Sequence, residues 1–438
     1  MYLSVFYTLI LQVNPFHIGI LMLITKIWDA VNDPIIGAIV DSRKATKGGK
    51  FIPWIRAFSF PMAVLCILGF VNVSNLAYGL RLAYMFVTYV LYEALYTCVN
   101  VPFGTLSSVM TDDVRHRTAL SRYRSLGGTI FMTVIVMVGP LVLYVDNKPV
   151  AGRFLMLASV FALIGLLCLQ ITCVWCKERV AVPERPKGEK LNYLHVIKEI
   201  AKNKALLGVM FFSLVGMIGA SVVNGLNTYL FKDYFGNVKI MAVSGGLSVL
   251  YSLITFAITQ PLADKLGKKE WCCWGAGFAA AVFALLFFFP IHNPVLFIVI
   301  NGVCYLGASG MQVLIWAMVN DSIDYHELQT GERNEGIVYS TYSFFRKLAS
   351  AVSGSLSSFV LGFIGYNVAE GAMQTAEVSN AIWKSYTGIY VLGYGVAVAI
   401  LFFVYPLTKA KTTEMLEQLK ARRAEKASAV ETDGEQCP

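Results

Sequence analysis

Long apolar runs separated by short polar ones dominate the chain. A membrane-spanning helix needs about 20 apolar residues to cross a hydrocarbon core of about 30 Å. Runs of that length predict helices over about 16–40, 54–74, 81–105, 123–145, 153–177, 205–231, 239–262, 271–291, 295–319, 337–365 and 384–406. The first stretch, Tyr2 to Val13, is apolar but covers only about 18 Å at 1.5 Å per residue. It has neither a basic leading region nor a cleavage site, so it is a poor signal peptide. It reads as the second half of a first span whose beginning is absent. The expected design is an all-α membrane fold of twelve helices, six plus six, with helix one truncated. The longest polar segment, 177–204, carries Pro183, Pro186 and many charges and reads as a linker. It separates an N-terminal bundle over 1–176 from a C-terminal bundle over 205–406. A polar tail follows over 407–438, with a surface helix expected around Glu414 to Lys426.

Composition sharpens this. Of 438 residues, 56% are hydrophobic and 14% charged, against about 25% charged in an ordinary soluble domain. Soluble enzymes, disordered chains and fibres are excluded. The formal charge of +9 raises the question of nucleic acid, but its placement answers it. Alternate inter-span segments and the tail hold 27 Lys and Arg, and the opposite segments hold 6. That bias places the linker and the C-terminus in the cytoplasm of a multi-pass inner-membrane protein. The cysteines lie mostly inside apolar runs and read as packing residues rather than a disulfide framework. The histidines form no ligand cluster, and no P-loop, nucleophile elbow or HExxH motif is present. No enzyme activity and no cofactor are expected.

A weak internal repeat supports two similar halves. Asp33-Pro34-Ile35-Ile36-Gly37 through Asp41, Arg43 and Lys50 precedes the third span, and Gln260-Pro261 through Gly267-Lys268-Lys269 precedes the ninth. Asp112, Asp113, Arg115 and Arg117 follow span four as Asp321, Asp324 and Arg333 follow span ten. Two related halves about a central linker suit a transporter that rocks about a midplane site.

Six ionisable residues lie inside spans: Lys26, Asp29, Asp33, Glu93, Arg346 and Lys347. An isolated charge at the bilayer centre costs a few kcal/mol, so intramembrane charges are functional candidates. Lys26, Asp29 and Asp33 share a helix face at i, i+3, i+7, with Asn32 beside them. Glu93, Thr97 and Asn100 share a face at i, i+4, i+7. Two carboxylates with an amide and a hydroxyl are hard oxygen ligands suited to Na⁺, or to a proton on a carboxylate. The competing reading is an ion-pair network that fixes helix packing. Arg346 and Lys347 are about 100° apart on their helix and cannot both face one spot. Asn224, Asn227 and Gln312 either line a cavity or join helices by hydrogen bonds.

The run Lys26-Ile27-Trp28-Asp29-Ala30-Val31-Asn32-Asp33-Pro34-Ile35-Ile36-Gly37 resembles the glycoside–pentoside–hexuronide:cation symporters of the major facilitator superfamily, a family that includes melibiose permease. Tyr96-Thr97-Cys98-Val99-Asn100-Val101-Pro102-Phe103-Gly104, Asp321 to Tyr325, Thr330 to Gly336 and Phe345-Arg346-Lys347 extend the resemblance in the same order. It implies a major facilitator fold and a cation site of Asp29, Asn32, Asp33 and Thr97. It implies that Lys347 ties cation and sugar sites together, that Arg124 helps hold sugar, and that Asp321, Asp324 and Arg333 are cytoplasmic gate charges. Tyr96, Asn100 and Gln312 join the expected substrate residues, and Lys26 and Glu93 the coupling residues. Three positions depart from melibiose permease. Asn100 stands for its sugar-binding aspartate, Gly104 for a tryptophan, and Glu93 for a small residue; the Asn100–Leu106 run looks more like the glucuronide and xyloside branch. The first-span carboxylate that grips sugar would fall before Met1.

The resulting expectation is Na⁺- or H⁺-coupled symport of a glycoside, pentoside or hexuronide by a monomer embedded in lipid, with no nucleic-acid partner. The rivals are a lysolipid:cation symporter of the same fold and a transport-dead sensor or interaction protein.

Overall fold

The computed structural model describes residues 2–42, 48–111, 114–179, 203–330, 335–369 and 373–434. They form α1 (Tyr2–Leu9), α2 (Pro15–Ser42), α3 (Ile52–Leu68), α4 (Tyr78–Met110), α5 (Val114–Leu143) and α6 (Ala151–Trp175). Then come α7 (Lys204–Tyr229, continued by a π turn over Leu230–Tyr234), α8 (Ile240–Leu266), α9 (Lys268–Phe288), α10 (Pro294–Ala308) and α11 (Gly310–Thr330). The last are α12 (Glu335–Phe363), α13 (Ala376–Phe403) and α14 (Lys409–Gly434). The described sheet is one antiparallel hairpin, β1 (Tyr144–Val145) with β2 (Lys148–Pro149).

Eight stretches among the described residues are long and apolar enough to cross a membrane; they fall on α4 to α9, on α10 with α11, and on α13. The apolar α3 has 17 residues. The other two expected spans are α2, with 28 residues, and α12, with 29. In α6 only 6% of the spanning window is buried inside the protein, though its hydropathy is 2.5. A helix that is apolar all round and barely covered by protein has lipid as its solvent.

Two boundaries differ from expectation. The run over 295–319 is two helices that meet at Ser309, whose Oγ hydrogen-bonds Thr255 at 2.9 Å. The second of them continues to Thr330, so Asp321 and Asp324 are helical rather than in a loop. The tail helix is longer than expected. It also buries Met415 and Leu419, one turn apart, in a core cluster with Leu314, Met318 and Tyr405.

The chain divides into two compact units. One comprises residues 1–187, 224–246 and 354–383, and the other 188–223, 247–353 and 384–438. The first unit therefore takes in pieces of α7, α8, α12 and α13 from the second half of the chain. In it α1 packs through Phe6, fully buried against Phe70 and Phe154, and Arg81 donates to the Leu11 carbonyl at 2.8 Å.

The repeat has a structural counterpart. Gly49 and Gly267 stand just ahead of α3 and α9, with φ of +99° and +110°. Only glycine takes up that conformation without strain. Each is followed by a helix start that meets a carboxylate or a chain end from beyond the half's last span. Glu178 accepts the N–H groups of Lys50, Phe51 and Ile52, all at 2.8 Å. In the other unit Glu270 accepts the Lys409 N–H at 3.1 Å. A carboxylate on three orphan N–H groups at a helix start satisfies both their hydrogen bonds and the helix dipole. Glu178→Ala is expected to destabilise the first unit by about 1–2 kcal/mol. Faster amide exchange at residues 50–52, with exchange in α9 unchanged, is the check.

Candidate cation and solute site

The intramembrane charges on α2 and α4 meet. Lys26 Nζ lies 2.9 Å from Asp29 Oδ2 on its own helix and 3.3 Å from Glu93 Oε1 on α4. The i, i+3 spacing makes the first contact, and the packing of α2 on α4 makes the second. Glu93 is 8% exposed and Asp29 19%. Tyr89 lies one turn before Glu93 on α4. Among the described residues, two atoms at this site are buried and have no hydrogen-bond partner: Asp29 Oδ1 and Asn32 Nδ2. With both acids ionised, one ammonium faces two carboxylates, leaving a net charge of minus one. A buried carboxylate oxygen without a donor is costly unless something positive joins it. Rotation of the Asn32 amide would add its oxygen. Hard oxygens of this kind fit Na⁺, Li⁺ or a proton.

The other expected residues fall as follows. Thr97 is buried one turn beyond Glu93, and Asn100 is half-buried. Tyr96 is 43% exposed, its ring near Tyr92 with centroids 6.3 Å apart. Arg124 is exposed, with its guanidinium 5.2 Å from the Phe103 ring centroid. A side chain at Gly104 would be in ordinary contact with it, so the small residue there leaves the arginine open. Gln312 is exposed on α11. Asp33 and Lys347 belong to α2 and α12, but their side chains lie outside the described residues, as does Arg333 altogether. Arg346 is exposed, 5.8 Å from the Trp316 ring centroid, which gives it its own partner. Asp321 holds Lys268 with both oxygens at 2.8 Å, and Asp324 is half-buried beside it. Lys268 as the mate of Asp321 is not evident from spacing, because 53 residues separate them.

The first unit also holds a polar cluster at its lysine-poor end that spacing does not reveal. Lys232 Nζ lies 2.7 Å from Asp233 Oδ1, with side chains 12% and 6% exposed. The Tyr366 hydroxyl donates to Asp233 Oδ2 at 2.8 Å. Burial, with the Asp233 carboxylate beside it, pushes that phenol well above its usual range. Asn147, at the hairpin tip with φ of +64°, donates to the Lys232 carbonyl at 3.0 Å and accepts the Val238 N–H at 2.9 Å. Tyr234 stacks on the buried Trp383 at 4.8 Å. A hairpin from the first half of the chain is thereby fastened to α7 and to the segments around α12 and α13.

Stretches that can cross a bilayer, with charged side chains of two helices meeting among them, mark a multi-pass membrane transporter. Residues 1–409 match the family described as MFS/sugar transport protein, and the chain belongs to that family. It is 32% identical over 422 residues to "Uncharacterized symporter YjmB" of Bacillus subtilis (strain 168), covering 95% of this chain and 90% of that one. It is 29% identical over 426 residues to the "Isoprimeverose transporter" of Lactiplantibacillus pentosus, covering 96% and 88%. It is 24% identical over 429 residues to the "Glucuronide carrier protein homolog" of Escherichia coli (strain K12), covering 97% and 91%. Among solved structures, the nucleoside transporter NupG superposes with a TM-score of 0.55 at 13% identity, over 94% of this chain and 93% of that one. That likeness bears out the expected major facilitator fold.

Proposed function

We propose that the protein is a cation-coupled symporter of a glycoside, pentoside or hexuronide, working by alternating access with Na⁺ or H⁺ as the coupling ion. The observation that carries this reading is the partly buried excess of negative charge at Lys26, Asp29 and Glu93, with Asp29 Oδ1 unpartnered among the described residues. Asp29, Asn32, Asp33 and Thr97 hold the cation. Tyr96, Asn100, Arg124 and Gln312 serve the sugar, and Asp321 with Lys268, Asp324 and Arg333 the cytoplasmic gate. Relatives named for isoprimeverose and glucuronide support the substrate class. The Lys and Arg bias supports an inner-membrane location with linker and C-terminus in the cytoplasm. Coupling requires only that cation and sugar favour the same conformers together.

Uptake by the purified protein in proteoliposomes tests this, using labelled pentosides, glucuronides and lysophosphatidylcholine under imposed Na⁺ or pH gradients. Concentrative uptake of one sugar driven by one of the gradients is expected. Uptake of the lysolipid alone, or of nothing, would overturn the reading. Lys347 is expected to carry part of the coupling. Lys347→Ala should abolish gradient-driven uptake per folded molecule, and Lys347→Arg should keep a fraction, because charge persists while shape and reach change. Normal coupled uptake by Lys347→Ala would remove it from the machinery.

A further inference from the structure

Glu93 is not among the residues proposed to hold the cation, yet it is the more buried of the two acids that Lys26 touches. We infer that Glu93 is a parking position for Lys26. When a cation takes Asp29, the ammonium gives up that carboxylate and is held by Glu93 alone. The inference rests on the cation-coupled reading of this site.

The geometry has the parts such an exchange needs. Asp29 presents one oxygen to Lys26 and keeps the other buried and without a partner. A cation binding at the free oxygen shares the carboxylate with an ammonium 2.9 Å from its other oxygen. Two like charges on one carboxylate repel, so the tethered one must leave or the free one cannot stay. Lys26 has somewhere to go. Glu93 already lies 3.3 Å away on a different helix, and its side chain is only 8% exposed. A long, rotamer-rich lysine stem can shift between two acceptors with α2 and α4 in place. Other charged or titratable groups described around the ammonium are few: Asp29 on its own helix, and Glu93 and Tyr89 on α4. Glu93 then acts through Lys26 and is a positioning residue. It weakens the ammonium's competition for Asp29 and so raises the site's affinity for the external cation.

This differs from a plain charge effect in one respect. If Glu93 acts only by its negative charge, Glu93→Gln lowers cation affinity by the same factor whether or not Lys26 is present. If Glu93 parks the ammonium, its loss also returns Lys26 to Asp29, and the factor is larger when Lys26 is there.

A double-mutant cycle on the full chain separates these. The readout is the half-saturating concentration of NaCl, and separately of LiCl, for thermal stabilisation of the purified protein, with choline chloride holding ionic strength. Binding only to the folded state raises stability in proportion to ln(1 + [L]/Kd), so no sugar is required. Glu93→Gln is expected to weaken cation binding about tenfold or more in the wild-type background, and less than about threefold in Lys26→Gln. Lys26→Gln alone is expected to tighten it. Glu93→Asp, which keeps a shorter carboxylate, should restore most of the affinity that Glu93→Gln loses. A purely structural glutamate would lower stability without cation and leave the half-saturating concentration where it was. Equal factors in both backgrounds overturn the parking role and leave cation coupling standing. If Glu93→Gln does not fold, Lys26→Gln decides: unchanged affinity overturns the competition on which the role depends. A wild-type protein that responds to neither Na⁺ nor Li⁺ also overturns it. Proton coupling is then decided by uptake under a pH gradient, a separate measurement.

Discussion

Asp29→Asn is expected to abolish cation-driven accumulation of the solute while leaving measurable solute binding. The substitution keeps the shape of the side chain and removes its charge. Lys26 and Glu93 then neutralise each other, and the net minus one of the three-residue cluster becomes zero. A unit charge about 4 Å from a cation is worth about 4 kcal/mol at an effective dielectric constant near 20, close to a thousandfold in affinity. Asn also presents its Nδ2 or its Oδ1 where a carboxylate oxygen stood, so one orientation turns a donor toward the cation. Asp33→Asn, one turn further along α2, is expected to act in the same direction. Counterflow, which needs no net driving force, should survive in both variants if solute binding does. The decisive comparison is accumulation against counterflow in the same proteoliposomes. Accumulation unchanged in both variants would refute the assignment of these acids to the coupling ion.

Much of this site was legible in the sequence because helices impose a period and membranes penalise charge. Lys26 with Asp29 follows from i, i+3 spacing alone, and the depth of both follows from 1.5 Å per residue. What could not be read was the choice of partner across helices. Glu93 is 67 residues from Lys26, and its face on α4 was clear while the helix it faces was not. The break at Ser309 is invisible in hydropathy, since the run on both sides is apolar. On α11, which runs on to Thr330, Asp321 is paired with Lys268 from another helix.

The buried cluster at the lysine-poor end was hidden in a different way. Lys232 and Asp233 are adjacent charges at the end of a span, and such residues are ordinarily solvated rim charges worth little. Here they are covered, and Tyr366, Ser379 and Asn147 converge on them. These contacts form a latch that fastens a hairpin of the first half of the chain to elements of its second half. Breaking a buried ion pair by removing one partner typically costs about 3–5 kcal/mol, because the other charge is left uncompensated. Asp233→Asn is therefore expected to release the latch, leaving the Lys232 ammonium buried beside an amide. Amide exchange reports it directly, because the Val238 N–H is held by Asn147. Exchange over 230–238 and 144–150 should rise by roughly a hundredfold or more, which corresponds to about 3 kcal/mol. Exchange in α9, which lies in the other unit, should not change. The paired change Lys232→Met with Asp233→Leu removes both charges and refills the volume. Apolar replacements of whole buried pairs are often neutral or stabilising, so protection should largely return. If Asp233→Asn leaves exchange in both segments at the wild-type rate, these contacts carry no energy and the cluster is held by the stacking of Tyr234 on Trp383 and its neighbours instead.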